Sequence, residues 1–471
     1  MIVPDKIADL SEVKNRARRV FECSAAKIVS LNKTWNTSAG APVFTVRGKY
    51  TSRGWTEWTH GFQFGSALLQ FDATGEEQFL QMGREGIRAA MPKHLTHRGV
   101  HDHGFNIIST YGNLLRLIRE GRLGTADEEA RTCEVALRVS GAIQASRWTN
   151  LPDGLGYIYS FNGPHSLFAD TIRSLRSLAV AHRLGQVLMD EGDREVNLFH
   201  RLLVHAETTG RYNVYFGRGR DAYDVRGRVA HESIFNINDG SYRCPSTQQG
   251  YSPFTTWTRA LAWILLGYAE QLEFLAAVPD HEFPPRQKKK QVLKRFEEIA
   301  IAVADYYVSE SPSDGIPYWD TGAPGLIKLG DYRSQPADPF NDCEPVDSSA
   351  AVIAAQGFLR LGSYLTAKGD RKRGELYART GLAIAKVLFV EPYLSTDPGH
   401  QGLVLHSVYH RPNGWDYVPK GSRIPRGESS MWGDYHAREL ALMILRMGEG
   451  AEYRFWGVEK AEDLAKARRE K

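Results

Sequence analysis

Two sets of helical segments alternate along the chain, and this alternation restricts the fold more than any other feature. Six segments are amphipathic and strongly charged, which is typical of helices with one solvated face; they span about 6–31, 76–91, 126–143, 195–208, 286–307 and 371–388. Six others are rich in Ala, Gly, Leu and aromatic residues, which suits burial on several sides; they span 61–71, 104–118, 170–185, 254–269, 347–362 and 432–448. Six hairpins of one outer and one inner helix predict an all-α fold, the (α/α)6 barrel or toroid.

The segments between these helices predict one domain with an irregular rim. No linker or shift in composition interrupts the series, so we expect a single domain over residues 1–471. Segments 213–248 and 393–426 lack helical periodicity, and they are expected to form short strands or irregular structure at a cavity mouth. Ser252 and Pro253 are expected to begin the helix at 254–269, because serine caps helices and proline suits their first position.

Composition excludes several classes of function. A net charge of +4 over 471 residues gives no basis for nucleic-acid binding. No apolar run of about eighteen residues occurs, so no membrane span is predicted, and the N-terminal sequence lacks the apolar core of a signal peptide. The four cysteines lack metal-ligand spacing and predict reduced thiols in a cytoplasmic protein. Neither a phosphate-binding loop nor a dinucleotide or zinc signature is present.

Polar or aromatic side chains stand at the start of every inner segment. In a barrel the inner helices run parallel, so their N-termini gather at one end; the residues concerned are Trp58, His60, Asp102, Asp170, Ser252, Trp257, Asp347, Trp432 and Asp434. Any one of the aspartates or serines also fits a helix cap. Six such starts together predict a lined cavity, and six helix N-termini favour an anionic ligand there.

Eight motifs follow one another from about Trp55 to Arg446. They are WTHGF (58–62), HDHGF (101–105), FADTIRSL (168–175), QGYSPFTTWTRALAW (249–263), DGIPYWDTGAP (314–324), PVDSSAAVIAAQGFLRL (345–361), GLVLHSVYH (402–410) and SSMWGDYHARE (429–439). In this order they resemble the unsaturated glucuronyl hydrolases, glycoside hydrolase family 88. The family has an (α/α)6 barrel, which agrees with the hairpins counted above.

The resemblance implies a reaction on the products of polysaccharide lyases. The enzyme would remove a 4,5-unsaturated uronic acid from the non-reducing end by hydrating its C4=C5 vinyl ether, giving 5-keto-4-deoxyuronate and a shortened saccharide. It implies Asp170 as the general acid and then the base for water. Asp102 would position sugar hydroxyls and hold the protonation state of Asp170. Two carboxyl groups with separated pKa values and a water suffice for this chemistry, so no metal or organic cofactor is predicted.

The resemblance also implies a set of substrate-binding residues, which are His205, Gln249, Trp58, Phe62, Trp148, Trp257, Arg259, Trp263, Tyr409, Ser429 and Ser430. Indole faces stack on the apolar faces of sugar rings. Structural alternatives stand beside several of these roles. A lone histidine is often simply packed, Trp257 lies on an apolar stripe, and a serine before a helix is often a cap.

Two acidic residues and one departure from the family complete the predicted site. Arg259 could bind the substrate carboxylate, but pairing with Asp347 or Asp434 is favoured because buried arginines usually need a protein partner. Asp347 and Asp434 are interpreted as scaffold or rim residues. Gln248 stands where relatives often carry histidine, which makes that part of the cavity wall different.

Other functions remain open at this point. Segments 150–165 and 213–248 differ from the family pattern, which leaves room for a saturated β-glucuronidase or an unsaturated rhamnogalacturonyl hydrolase on the same barrel. A non-catalytic carbohydrate-binding toroid would use the carboxylates for binding alone, and an epimerase would need paired histidines. The predicted partner is an unsaturated uronyl oligosaccharide, with no nucleic acid and no membrane, and the chain is expected to be a monomer or a homodimer.

Overall fold

The computed structural model describes residues 2, 10–54, 57–124, 126–285 and 287–457. Residues 6–9 and 286 of the predicted helices therefore lie outside the described residues. The α-helices are α1 (Leu10–Thr34), α2 (His60–Thr74), α3 (Glu77–Ala90), α4 (His103–Ile107), α5 (Asn113–Arg119), α6 (Asp127–Ser146), α7 (Thr171–Ser174), α8 (Arg176–Arg183), α9 (Leu198–Tyr212), α10 (Thr258–Ala277), α11 (Lys289–Glu310), α12 (Ser348–Lys368), α13 (Arg371–Leu388) and α14 (Met431–Met447). A π-helical turn, Ile108–Gly112, joins α4 to α5.

The helices form two concentric layers, as an (α/α)6 barrel requires. Helices α2, α4, α7, α10, α12 and α14 contact one another in sequence, and α14 returns to α2, so the inner ring is closed. Of the 20 residues of α10, 17 are buried, whereas only 4 of the 14 residues of α3 are. The charged helices α1, α3, α11 and α13 pack outside the ring, each against an inner helix. The predicted barrel is confirmed.

Glycines let neighbouring inner helices approach closely near their first turns. A Cβ atom on Gly61 would lie 2.3 Å from the carbonyl oxygen of Asn106, and one on Gly104 would lie 2.1 Å from that of Ser174. Both distances are far inside van der Waals contact, so only glycine fits. The amides of these glycines also donate to Asn106 Oδ1 and Ser174 Oγ, each at 2.8 Å. These contacts fix the start of α2 against α4, and the start of α4 against α7.

The strands are short and lie in the segments that join the helices. They are β1 (Phe44–Val46), β2 (Lys49–Thr51), β3 (Trp148–Asn150), β4 (Gly156–Ile158), β5 (Ser166–Phe168), β6 (Val187–Asp190), β7 (Arg194–Asn197), β8 (Glu232–Phe235) and β9 (Tyr242–Ser246). They pair as antiparallel hairpins, except that β5, β8 and β9 form one three-stranded sheet. The prediction of short strands in segment 213–248 is therefore confirmed.

Two predicted helix starts are wrong. Residues 195–197 belong to strand β7, and α9 begins after Asn197, whose side chain accepts from the amide of His200. Helix α10 begins at Thr258 and not at Ser252, because the preceding backbone is extended and pairs with segment 319–321 through Trp257 and Thr256. Strand-like pairing with a distant segment overrides the local capping signal in this case.

Helix α10 is a deeply buried helix of the inner ring. It is long and apolar enough to cross a membrane by length and composition, but 83% of its most apolar window is buried inside the fold. Such burial is expected of the core helix of a barrel.

Candidate active site

A cavity of about 1090 Å³ lies at the end of the barrel where the inner helices begin. Residues just before the starts of four of these helices line it. Asp102, Asp170 and Trp257 each precede a helix by one residue, and Trp58 precedes α2 by two. The prediction that helix starts gather around a cavity is thus confirmed for α2, α4, α7 and α10. The predicted site residues that line it are Asp102, Asp170, Trp58, Gln249, Trp257, Arg259, Trp263 and Tyr409.

Asp102 and Asp170 both approach the Nε2 atom of His101. His101 Nε2 is 3.7 Å from Asp102 Oδ1 and 3.6 Å from Asp170 Oδ2. Neither carboxylate accepts a capping hydrogen bond from the helix that it precedes. Helix capping therefore does not explain either aspartate, and both carboxylates are available to a ligand in the cavity.

The two carboxyl groups have pKa values displaced in opposite directions. Burial raises the pKa of Asp102 to about 6, against the opposing charge of His101. Burial acts on Asp170 as well, but the close approach and charge of His101, helped by the charge of His231, hold the pKa of Asp170 below its usual range. His101 is buried too, yet the two carboxylates raise its pKa. In the unliganded protein the carboxyl group with the raised pKa is thus Asp102, whereas the resemblance implied the acid at Asp170.

The same three side chains could also hold a cation. One donor atom from each of His101, Asp102 and Asp170 lies within 4.8 Å of the others. An imidazole nitrogen with two carboxylate oxygens is a donor set that several divalent metals accept. The cluster of His101, Asp102 and Asp170 thus suits either proton transfer or metal binding.

Two histidines beside Asp170 were not predicted. His101 directly precedes Asp102 in the motif HDHGF, so its place at the site follows from the motif once Asp102 is there. His231 lies just before β8, with its ring 4.5 Å from that of Phe168 and 4.7 Å from that of Trp257. Its segment carries no recognisable motif, so only the fold reveals it.

His205 is close to the site but packed behind it. It lies in α9, is fully buried, and its Nδ1 accepts from the amide of Ile158 at 3.0 Å. Burial lowers the pKa of His205 to about 3, so it stays neutral. It does not line the cavity. Its Nε2 has no hydrogen-bond partner among the described residues, and the substrate contact implied for His205 stays a prediction.

Arg259 is held by the protein and orients Gln249. Its guanidinium group donates to Gln249 Oε1 at 2.8 Å and to the carbonyl oxygen of Tyr409 at 2.9 Å, and it lies 3.6 Å from Asp347. It is also sandwiched between the rings of Trp257 and Trp432, at 4.5 and 4.6 Å. The predicted structural pairing is confirmed. Because arginine can only donate, Gln249 Oε1 is fixed toward it and the NH2 group of Gln249 is left for the cavity.

Aromatic rings form one side of the cavity. Trp58 stacks on Trp432 with ring centroids 5.3 Å apart, and Tyr409 lies 5.0 Å from Trp432. Trp263 is 2% exposed and packs on Phe105 at 4.9 Å, so it forms part of the floor. Phe62 does not line the cavity, because it lies below Trp58 and is fully buried.

Trp148 lies in a different hollow. Its ring packs over Gly156 and under the guanidinium group of Arg201, 4.8 Å away, and its Nε1 donates to Asn150. This hollow of about 730 Å³ is lined by β3, β7 and the start of α9. The predicted contact of Trp148 with substrate in the catalytic cavity is therefore wrong, since the β3–β4 hairpin turns the indole away.

The remaining predicted residues belong to the scaffold. Ser429 Oγ donates to Asp434 Oδ1 at 2.6 Å, and Tyr50 donates to Asp434 Oδ2 at 2.6 Å. Ser430 caps α14 by accepting from Gly433, and Asp347 caps α12. The scaffold interpretation of Asp347 and Asp434 is confirmed. Both serines are fully buried and do not line the cavity, so the predicted sugar contact of Ser429 and Ser430 is wrong.

Comparisons with known proteins find relatives that align over most of this chain. No family model matches the chain. The unsaturated glucuronyl hydrolase of Bacillus sp. strain GL1 is 24% identical over 408 residues, covering 86% of this chain and 90% of the relative. The unsaturated chondroitin disaccharide hydrolase of Streptococcus pyogenes serotype M1 is 23% identical over 436 residues, or 90% of each chain.

Solved structures share the fold over nearly the whole chain. An unsaturated glucuronyl hydrolase described as specific for heparin superposes with a TM-score of 0.68 at 18% identity, covering 94% of this chain and 99% of that one. The unsaturated glucuronyl hydrolase of Streptococcus agalactiae also gives a TM-score of 0.68, at 17% identity, covering 97% of this chain and 99% of that one. At this identity the similarity establishes the (α/α)6 barrel.

Proposed function

Because this chain belongs to the unsaturated glucuronyl hydrolases, glycoside hydrolase family 88, we propose that it hydrates 4,5-unsaturated uronic acids at the non-reducing end of oligosaccharides. The products are 5-keto-4-deoxyuronate and a saccharide shortened by one residue. The observation that carries the proposal is the pair of carboxyl groups of Asp102 and Asp170, which meet at Nε2 of His101 in the wall of a sugar-sized cavity.

The first chemical step is proton transfer to C4 of the unsaturated ring. Asp170 donates the proton, and positive charge develops at C5 and the ring oxygen. The carboxylate left on Asp170 and the neighbouring Asp102 stabilise this charge. Water then adds to C5 and returns a proton to Asp170. The resulting hemiketal opens to the C5 ketone, and the former glycosidic carbon expels the neighbouring sugar.

Substrate binding is proposed to raise the pKa of Asp170, so that Asp170 is protonated in the complex. In the free protein the charge of His101 lowers the pKa of Asp170. A uronate carboxylate entering the cavity brings a like charge close to Asp170 and raises its pKa. His101 Nε2 lies 3.6 Å from Asp170 Oδ2 and, when protonated, is the proposed source of that proton. We therefore place the acid at Asp170 in the complex and regard Asp102 as its partner.

Gln249 is proposed to bind the sugar as a hydrogen-bond donor. Its Oε1 is occupied by Arg259 at 2.8 Å, so its NH2 group presents N–H bonds to the cavity. Donors of this kind match the substrate carboxylate or the oxygen of the attacking water. Trp58, Trp257, Trp263 and Tyr409 supply apolar and aromatic surface for the sugar rings.

Ultraviolet absorbance tests the proposal, because the conjugated C=C–COO⁻ group loses its absorbance on hydration. Unsaturated disaccharides from chondroitin, hyaluronan, heparin, xanthan and pectin are incubated with the wild type, with and without a chelator, and with Asp170→Asn. We expect loss with the wild type only, at a rate that the chelator does not change. Loss that depends on an added divalent metal would assign the cluster to metal chemistry. A folded protein that leaves the whole panel intact would contradict the proposal.

We also propose a cytoplasmic location. All four cysteines, Cys23, Cys133, Cys244 and Cys343, are free thiols, and Cys244 is exposed. Free thiols of this kind are typical of a reducing compartment. Fractionation of the source cells, with the activity followed by loss of the same chromophore, checks this expectation.

A further inference from the structure

We infer that Phe161 is a specificity-determining residue of this cavity and that its phenyl ring stacks on the unsaturated uronyl ring. The inference rests on the proposed function and adds to it a residue outside the motifs of the family resemblance. Phe161 lies in segment 150–165, which departs from the family pattern. It lines the cavity and is 41% exposed, and a large apolar side chain with this much exposed surface suits contact with a ligand.

The ring of Phe161 lies next to the catalytic cluster. Its centroid is 6.2 Å from that of His101 with the planes 19° apart, so the two rings are nearly parallel. It meets Phe168 edge to face at 5.4 Å. His101 itself is only 1% exposed. Phe161 is therefore a partly exposed ring of the cavity wall, stacked on the histidine that both carboxylates approach.

The polar residues on both sides of Phe161 hold it in place. Asn162 Nδ2 donates to Glu232 Oε1 at 2.9 Å, and Gln248 Nε2 donates to Asn162 Oδ1 at 2.6 Å. On the other side, Arg147 donates to the carbonyl oxygen of Ser160 at 2.6 Å. An exposed phenyl ring on a fixed backbone is preorganised for a ligand, because little conformational entropy is lost on binding.

Gln248 joins the loop of Phe161 to the neighbouring wall of the cavity. Its amide group spans from segment 247–257 to Asn162 in segment 150–165. An amide both donates and accepts, so it suits the carbonyl oxygen of another amide. Gln248 and the loop thus form one local arrangement that presents Phe161 to the cavity.

The shape of the proposed substrate matches this surface. A C4=C5 double bond flattens the uronyl ring and conjugates with its carboxylate, so the ring offers a planar face. Aromatic rings stack well on flat, weakly polar faces. A saturated uronate has a puckered chair, which covers less of a phenyl ring. Phe161 is therefore expected to favour the unsaturated over the saturated sugar.

Kinetics of four variants test the inference. Phe161→Ala is expected to raise KM for the preferred unsaturated disaccharide by about tenfold, with kcat changed less than about threefold and an unchanged pH profile. Phe161→Tyr is expected to remain near the wild type, and Asn162→Ala to raise KM less than Phe161→Ala. Phe254→Ala is the matched control, because Phe254 is 64% exposed and does not line the cavity.

The outcomes separate this inference from the proposed function. An active wild type with an unchanged KM in Phe161→Ala would overturn the inference and leave the function standing. A shifted pH profile with an unchanged KM would also overturn it, because Phe161 would then act only through His101. If the wild type hydrates nothing, calorimetric binding of an unsaturated disaccharide decides the matter. Equal affinity in the wild type and Phe161→Ala, or no binding in either, would overturn the inference as well.

Discussion

At the scale of single residues, the site is governed by one imidazole that two carboxylates approach. His101 Nε2 lies 3.7 Å from Asp102 and 3.6 Å from Asp170, but the pKa values of the two aspartates respond differently. Burial dominates at Asp102, whereas the charges of His101 and His231 outweigh burial at Asp170. Two aspartates beside one histidine thus acquire different pKa values, which is what acid–base catalysis by a carboxyl pair needs.

The raised pKa of Asp102 predicts a change of stability with pH. Because its folded pKa of about 6 lies above the 3.8 of a free aspartate, protonated Asp102 favours the folded state, and this contribution is lost as pH rises from about 4 to about 6. Asp102→Asn removes the titration. Relative to the wild type, its free energy of unfolding should therefore increase by about 1–3 kcal/mol between pH 4 and pH 7. Urea denaturation at both values measures this, and a pH-independent difference would contradict it.

The hydrogen bond from Arg259 makes a prediction about Gln249. Gln249→Ala removes one donor and should lower kcat/KM by about tenfold to a hundredfold. Gln249→Glu should lower it further, because the carboxylate can still bind Arg259 but presents an acceptor to an anionic sugar. Steady-state kinetics on the preferred disaccharide measure both variants. A Gln249→Glu variant as active as the wild type would mean that Gln249 does not donate to the substrate.

At the scale of elements, close contacts at the first turns of the inner helices set the cavity wall. Gly104→Ala would bring a Cβ atom to 2.1 Å from the carbonyl oxygen of Ser174, so α4 and α7 must separate. We expect a loss of about 1–3 kcal/mol in the free energy of unfolding. Gly124→Ala is the matched control, since nothing lies within 4 Å of its Cβ position. Chemical denaturation compares the two, and equal stability would contradict the role given to Gly104.

The helices of the barrel can be predicted from the sequence, whereas two helix starts and several site residues cannot. Helical periodicity is a local signal, so all twelve segments of the barrel are recognisable. The starts at 195 and 252 are mispredicted because Arg194–Asn197 and Trp257 pair with other extended segments, and such pairing depends on the fold. Asp102 and Asp170 are identified from motifs, whereas Phe161 and His231 reach the site through loops that no motif marks. Ser429 and Ser430 fit a motif but bond to the scaffold, and Trp148, which lies outside the motifs, faces a different hollow.

At the scale of the whole molecule, the closed inner ring predicts cooperative unfolding. Contacts run from α2 through α4, α7, α10 and α12 to α14 and back to α2, so no subset of hairpins has a core of its own. The expected single domain over 1–471 should then unfold in one transition. Urea curves followed by tryptophan fluorescence and by circular dichroism should coincide. Two separated midpoints would divide the chain into independent units.

Proton delivery to C4 is the step on which the whole account depends, and nuclear magnetic resonance in D2O tests it directly. In the first turnovers with an unsaturated disaccharide, the wild type should yield 5-keto-4-deoxyuronate with one deuterium on one face of C4, and Asp170→Asn should yield none. This result would show that the double bond is protonated before the neighbouring sugar leaves. Release of that sugar with the C4=C5 bond intact would mean direct attack on the glycosidic bond, and would contradict the mechanism.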